Sequence, residues 1–247
     1  MKFPNFASGL IVFLCVLSPS ARGQFATITP DPGLSAAMLK LFGSNTAFTS
    51  EADVRMLDTS RAETMRLPMS MAMLDGKIRI EVDLSKVNSK DLSTEVAASL
   101  KQIGMDKMVS IVRPDKKSTL VIYPSLRAYA EAPMSKQDAS EHAQQYSLEA
   151  TKIGNESLDG HACEKNKVKI MSANGQKHEA TVWNAADLQK FPVQIQMVQP
   201  DATVVMHFTK VNLKKPETNL FEAPTGFTKQ PSVEKLMESA MAKALGK

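Results

Sequence analysis

The chain has 247 residues and a formal charge of +4, a surplus too small to point to nucleic acid. Cysteines occur at positions 15 and 163 alone, so no disulfide framework supports the fold and stability has to come from a core. The length allows one large β domain or two small ones.

Residues 1–23 have the three parts of a cleavable export signal: Lys2, the apolar run Leu10–Leu17, and Ala21-Arg22-Gly23 after the breaker Ser18-Pro19-Ser20. The run is far shorter than the ~20 residues of a bilayer span. Cys15 lacks the small residues that precede a lipoprotein-type cleavage. Cleavage near Gly23 leaves a mature chain from Gln24 with a formal charge of +2, exported to the periplasm, not integral to the membrane, and with Cys163 as its one thiol.

Leu34, Ala37, Met38, Leu41 and Phe42 fall at helical spacing between Asp31-Pro32 and Gly43. Leu67, Met69, Met71 and Met73 then alternate with Pro68, Ser70 and Ala72. Ile78, Ile80, Val82 and Leu84 alternate with charged residues. Both are period-two strands, and Asp75-Gly76 between them accepts the positive φ angles of a two-residue hairpin. Leu92, Val96, Leu100 and Ile103 form a helical stripe ended by Gly104. Pro114-Asp115 separates a strand at 107–113 from Leu120–Tyr123, and residues 135–146 are weakly helical. Asp159-Gly160 divides strands at 147–156 and 161–171, and Asn174-Gly175 precedes Ala180–Val182. Pro200-Asp201 divides Val193/Ile195/Met197 from Val204/Met206/Phe208. The apolar phase changes at Val211/Leu213, which predicts a bulge near Thr209-Lys210. A last apolar stripe runs from Val233 to Leu245.

Consecutive strands joined by short turns predict an up-and-down antiparallel sheet of about ten strands, curled by accumulated twist. The fold class is mainly β with α: a strongly curved antiparallel sheet, or unclosed β-barrel of ten or eleven strands, with helices as a lid over the concave face. Residues 24–230 form a single β domain and 231–247 an amphipathic C-terminal helix.

What lines the interior of such a sheet decides its function. The predicted cavity wall is Leu67, Met69, Met71, Met73, Ile78, Ile80 and Val82, joined by Met197 and Met206. The chain holds 15 methionines against 1 tryptophan and 3 tyrosines, and methionine-rich surfaces adapt to loosely defined apolar ligands. The plainer reading is that methionine fills an irregular core.

Several short motifs carry a resemblance. They are Tyr123-Pro124, Leu158-Asp159-Gly160-His161-Ala-Cys163-Glu-Lys165, Trp183-Asn-Ala-Ala-Asp187-Leu188, Phe191-Pro192-Val193 and Leu220-Phe221-Glu-Ala-Pro224-Thr-Gly226-Phe227. Over residues 45–230 the chain resembles exported bacterial proteins of unknown function within the outer-membrane lipoprotein carrier/receptor (LolA/LolB-like) superfamily. That resemblance implies an unclosed barrel of about eleven strands, a helical lid over an apolar cavity, and carriage of an acyl chain or other lipid. Asn166 departs from the aromatic that related sequences place there, and no functional arginine carries over.

Two other function classes stand beside a holder of a hydrophobic small molecule or acyl chain. Met69-Ser-Met71-Ala-Met73 places three thioethers on one strand face about 7 Å apart, a Cu(I)-type set, and His161-x-Cys163 invites the same argument. A metal there requires an entry path and supporting groups that the sequence does not supply, so no metal and no cofactor is expected. An envelope protein is a further candidate partner, through the basic residues Lys210, Lys214 and Lys215 or the last helix. Motifs of catalysis are absent: no Gly-x-Ser-x-Gly elbow, no His-Glu-x-x-His, no phosphate loop. His142, His161, His178 and His207 lie in separate elements, and no enzymatic activity is expected.

Overall fold

The computed structural model describes residues 38–89, 94–134, 136, 146–172, 175 and 177–244. The expected export signal, the start of the first helix, Leu92, residues 137–145, Asn174 and Leu245 lie outside them. Thirteen strands form one sheet: β1 (Ala47–Leu57), β2 (Glu63–Leu74), β3 (Lys77–Asp83), β4 (Asn88–Ser89), β5 (Lys107–Arg113), β6 (Ser118–Tyr123), β7 (Ala128–Pro133), β8 (Tyr146–Leu158), β9 (His161–Ser172), β10 (Lys177–Ala185), β11 (Phe191–Val198), β12 (Thr203–Asn212) and β13 (Thr228–Gln230). Among the described residues two longer helices accompany it, α1 (Thr94–Gln102) and α2 (Val233–Ala244). Residues 38–40 are helical and lead through turns to β1.

The turns shape the sheet locally as their chemistry requires. Asp75 and Gly76 take φ of 50° and 84°, and Leu74 pairs with Lys77, so β2 and β3 join through a two-residue hairpin. Asp159 and Gly160 repeat this at 51° and 83° between Leu158 and His161. Lys210 adopts φ 49°, and β12 carries an extra residue there: Glu51 pairs with Thr209 but Thr49 with Asn212. This bulge accounts for the phase change of the apolar residues. Gly104 ends α1 at φ 75°, and a Cβ there would come 2.9 Å from Leu126 Cδ2.

The sheet is curved and unclosed, as expected, but it is not a single meander. Its order is β13-β7-β6-β5-β3-β2-β1-β12-β11-β10-β9-β8, with β4 beside β2. Two meanders, β1–β7 and β8–β12, meet where β1 pairs with β12. β7 and β8, adjacent in sequence, lie towards opposite ends, and β13 runs parallel to β7. Turn dipeptides specify only neighbouring strands; the β1·β12 seam is set by matching of whole faces, which no short motif encodes.

Both faces are buried over part of the sheet, where the alternation at Ile78–Leu84 implies one wet face. On the inner face a large core runs from Met38 and Phe42 across β1, β2, β11 and β12 to Leu236 and Ala240 of α2. On the outer face a second core holds Ala72, Leu74, Val109, Ile111, Leu120, Ile122 and Phe221. The segment Thr218–Phe221 covers it, held by Arg79 Nη1, which donates to the Leu220 carbonyl at 2.9 Å. The Leu220-Phe221 motif therefore has a packing role.

Candidate functional site

The predicted wall residues share the inner face. Met69, Met71 and Met73 stand directly opposite Val82, Ile80 and Ile78 across β2 and β3. On the other side they face Ala52, Ser50 and Phe48 of β1, and Leu67 faces Val54. Met206 pairs with Val54 from β12 and with Ile195 of β11, and Met197 pairs with Val204. Strand pairing thus brings all nine residues onto one surface spanning β2, β3, β1, β12 and β11. All are buried except Ile80, which is half-buried against the same core.

Sequence reading missed the aromatic end of this surface. Phe48 of β1, Phe191 of β11, Phe208 of β12 and Phe42 of the incoming segment converge, with ring centroids 4.9 Å apart for Phe42–Phe48 and 4.9 Å for Phe48–Phe191. Phe191 and Phe208 meet edge to face at 5.7 Å. The alternation Phe48/Ser50/Ala52/Val54/Met56 carried the signal for β1, weakened by its two small residues. Met38, Met105 and Met108 extend the methionine character of the core.

The helices contribute few side chains to this core, α1 lying against the turn Leu84–Lys86 and α2 against β7 and β13. In α1, Leu100 is the fully buried side chain, with Val96 at its margin; re-exposing one leucine costs about 1.5–3 kcal/mol. In α2, Leu236 and Ala240 are buried, with Val233 and Met237 beside them.

Recesses open at the surface among the described residues, and two of them adjoin this core. One, of about 330 Å³, lies beside Phe42 and is lined by polar groups including Asn45, Asn166, Asn184 and Lys190. Asn166 Nδ2 donates to Asn184 Oδ1 at 3.2 Å and to Glu164 Oε1 at 3.1 Å, so the position expected to be aromatic is part of an amide cluster. The other, of about 280 Å³, is lined by residues that include Ser50, Glu51, Ser70, Met71, Arg79 and Lys210. Its charges are paired: Lys210 Nζ with Glu51 Oε1 at 2.7 Å, and Arg79 Nε with Glu81 Oε1 at 2.7 Å.

Two of the histidines, His161 and His207, lie at the hairpin tip of β8–β9, while His178 of β10 pairs with Ile170 and His142 lies outside the described residues. His161 Nδ1 lies 2.7 Å from Asp187 Oδ2, and that hydrogen bond, above all, holds the Asp187 carboxyl below its usual range. His207 Nε2 lies 2.7 Å from Asp159 Oδ2, though not in hydrogen-bond alignment. Cys163 is buried and its Sγ donates to the His161 carbonyl at 3.4 Å; burial pushes its thiol pKa up, against a reactive role. Trp183 Nε1 donates to Glu156 Oε2 at 2.8 Å, with Lys165 Nζ 4.6 Å from the ring centre. Among the described residues no three His, Cys, Asp or Glu side chains converge on a metal position, and no helix is long and apolar enough to cross a membrane.

No curated protein matches the chain. Among solved structures it is similar to a LolA superfamily protein from Nitrosomonas europaea, at 10% identity and TM-score 0.38, over 80% of this chain and 99% of that one. It is also similar to lipoprotein LppX of Mycobacterium tuberculosis, at 14% identity and TM-score 0.39, over 75% and 98%. A third is an outer membrane lipoprotein-sorting protein domain from Vibrio parahaemolyticus, at 9% identity and TM-score 0.34, over 77% and 96%. At such identities and TM-scores the likeness is one of general type and says nothing of what this chain binds. A family model matches residues 63–191, from the start of β2 to the start of β11 and more than half of the chain, and the protein belongs to that family, Domain of unknown function (DUF4412).

Proposed function

We propose that this protein is a non-enzymatic holder of a single acyl chain or similar apolar molecule, exported to the periplasm and acting there as a carrier. The observation that carries this reading is the continuous inner face on which Met69, Met71, Met73, Met197 and Met206 align, in one core with Leu100 of α1 and Leu236 and Ala240 of α2. Unbranched thioether side chains re-pack around an apolar guest at low cost. Displacing α1 re-exposes little surface, whereas each methylene withdrawn from water contributes about 0.8 kcal/mol. The signal-like segment at residues 1–23 supports export.

The test is native mass spectrometry, with lipid extraction, on protein purified from its own cells. The expected result is a co-purifying species of lipid mass, lost on delipidation and regained with added fatty acid. Protein of bare polypeptide mass that binds no acyl probe after gentle purification would overturn the reading.

A further inference from the structure

On β1 the inward positions are Phe48, Ser50, Ala52 and Val54. Ser50 is the polar member, 5% exposed, and it stands directly opposite Met71 in the centre of the methionine wall. On its other side the β12 bulge at Lys210 leaves it without a single register partner. Its Oγ is buried and no protein group bonds to it. Among the described residues Asp53 Oδ1, Arg113 Nε, His178 Nε2 and His207 Nε2 are also buried and unbonded, but Asp53 and Arg113 bond through their other atoms and His207 lies beside Asp159, whereas the Ser50 side chain has no second polar atom.

An unpaired hydroxyl facing hydrocarbon is destabilising, and alanine would satisfy the apolar pattern of β1 better. Resting on the acyl-chain reading above, we infer that Ser50 Oγ–H is the polar anchor of the site and donates a hydrogen bond to a neutral acyl carbonyl, that of an ester-linked chain. The preference for a neutral group follows from the surroundings. Met71, Phe48 and Ala52 flank the hydroxyl, and the nearby Lys210 is engaged with Glu51. An ionised carboxylate would be buried there beside one donor, with Lys210 and Arg79 of the adjoining recess already paired with Glu51 and Glu81, which is strongly disfavoured. Phe48, the next inward residue of β1, lies 4.9 Å from Phe42, so the carbonyl would sit at the middle of the methionine wall with the aromatic cluster to one side.

The experiment compares methyl laurate, laurate and dodecane as competitors of an apolar fluorescent dye, on wild type, Ser50→Ala and Ser50→Thr. Wild type is expected to bind methyl laurate about fivefold more tightly than dodecane, the worth of one hydrogen bond, and laurate less tightly than its ester. Ser50→Ala should lose the ester preference, keep its dodecane affinity and melt at a higher temperature; Ser50→Thr should restore the preference. Equal ester affinity in wild type and Ser50→Ala, with dodecane binding intact, overturns this inference and leaves the acyl-chain reading standing. Laurate binding at least as tightly as its ester overturns the neutral-carbonyl assignment. Binding of none of the three probes by wild type overturns both.

Discussion

Met71 of β2 and Ile80 of β3 face each other as a cross-strand pair on the inner side of the sheet, Met71 only 7% exposed and Ile80 half-buried against the same core. Their position at the middle of the hairpin makes them the sharpest test of the wall. Ile80→Glu should abolish binding of a fluorescent fatty-acid probe and lower stability, because it sets a carboxylate against hydrocarbon. Met71→Trp adds apolar volume at a cost of about 1–3 kcal/mol. It should remain folded and exclude the probe. Dye titration paired with chemical denaturation checks both, and unchanged affinity in folded Met71→Trp would make this face core alone.

Replacing Met69, Met71 and Met73 together with leucine separates packing from copper chemistry. Each swap nearly conserves volume and should cost less than about 1.5 kcal/mol, so the triple variant should fold. Titration of the native protein with Cu(I) should show no stoichiometric tight site, since these thioethers are buried among apolar side chains. A tight site in wild type that disappears in the variant would establish the metal alternative.

A charged network closes the outer side of the sheet near β13. Arg113, 4% exposed, bonds Glu131, reaches Glu222 Oε2 at 3.2 Å and donates to Ser118 Oγ at 2.9 Å, while Lys229 of β13 holds Glu131 Oε2 at 2.9 Å. Lys229 first, then Ser118 and Arg113, hold the Glu131 carboxyl below its ordinary 4.5. A depressed carboxyl pKa stabilises the fold above that ordinary value, and the contribution is lost as pH falls through the folded-state value. Glu131→Gln should cost about 1–3 kcal/mol at neutral pH, because it leaves the buried guanidinium short of a charged partner. Urea melts at neutral and acid pH should show the gap between wild type and variant narrowing below pH 4.5.

Cys163 and Trp183 are built-in reporters of the β8–β9 hairpin. Cys163, 3% exposed, should react with an aromatic disulfide reagent only as fast as the hairpin opens, and far faster in denaturant. Trp183, 4% exposed, should emit at short wavelength and resist quenching by acrylamide. Glu156→Ala removes the acceptor of its Nε1–H and should shift emission to longer wavelength. An unshifted spectrum with rapid thiol labelling would show that the hairpin tip is not docked over Trp183.

The export reading gives a direct measurement. Sequencing the protein from a periplasmic fraction should find a mature terminus within a few residues of Gln24, with no acyl group. A chain retained in the membrane pellet with Met1 intact would overturn it.

Features that depend on neighbours along the chain were legible in the residues alone. Asp75-Gly76 and Asp159-Gly160 specified their hairpins because positive φ at two successive positions is favoured by few residue pairs. The alternation of Met69/Met71/Met73 against Ile78/Ile80/Val82 placed six side chains on one face once that turn was known. The change of phase after Phe208 located the bulge at Lys210. Which distant surfaces meet was not legible there and emerges from the packed fold. The β1·β12 seam, the parallel β13·β7 pair, the packing of Phe221 on the outer face and the convergence of Phe42, Phe48, Phe191 and Phe208 join residues far apart in the chain. Strand pairing at such distances depends on the complementarity of entire faces, spread over many weak contacts. For the same reason Ser50 reads in the sequence as an ordinary small polar residue of a strand. Only the apposition of β1, β2 and the β12 bulge buries its hydroxyl among hydrocarbon, where an unpaired donor becomes informative.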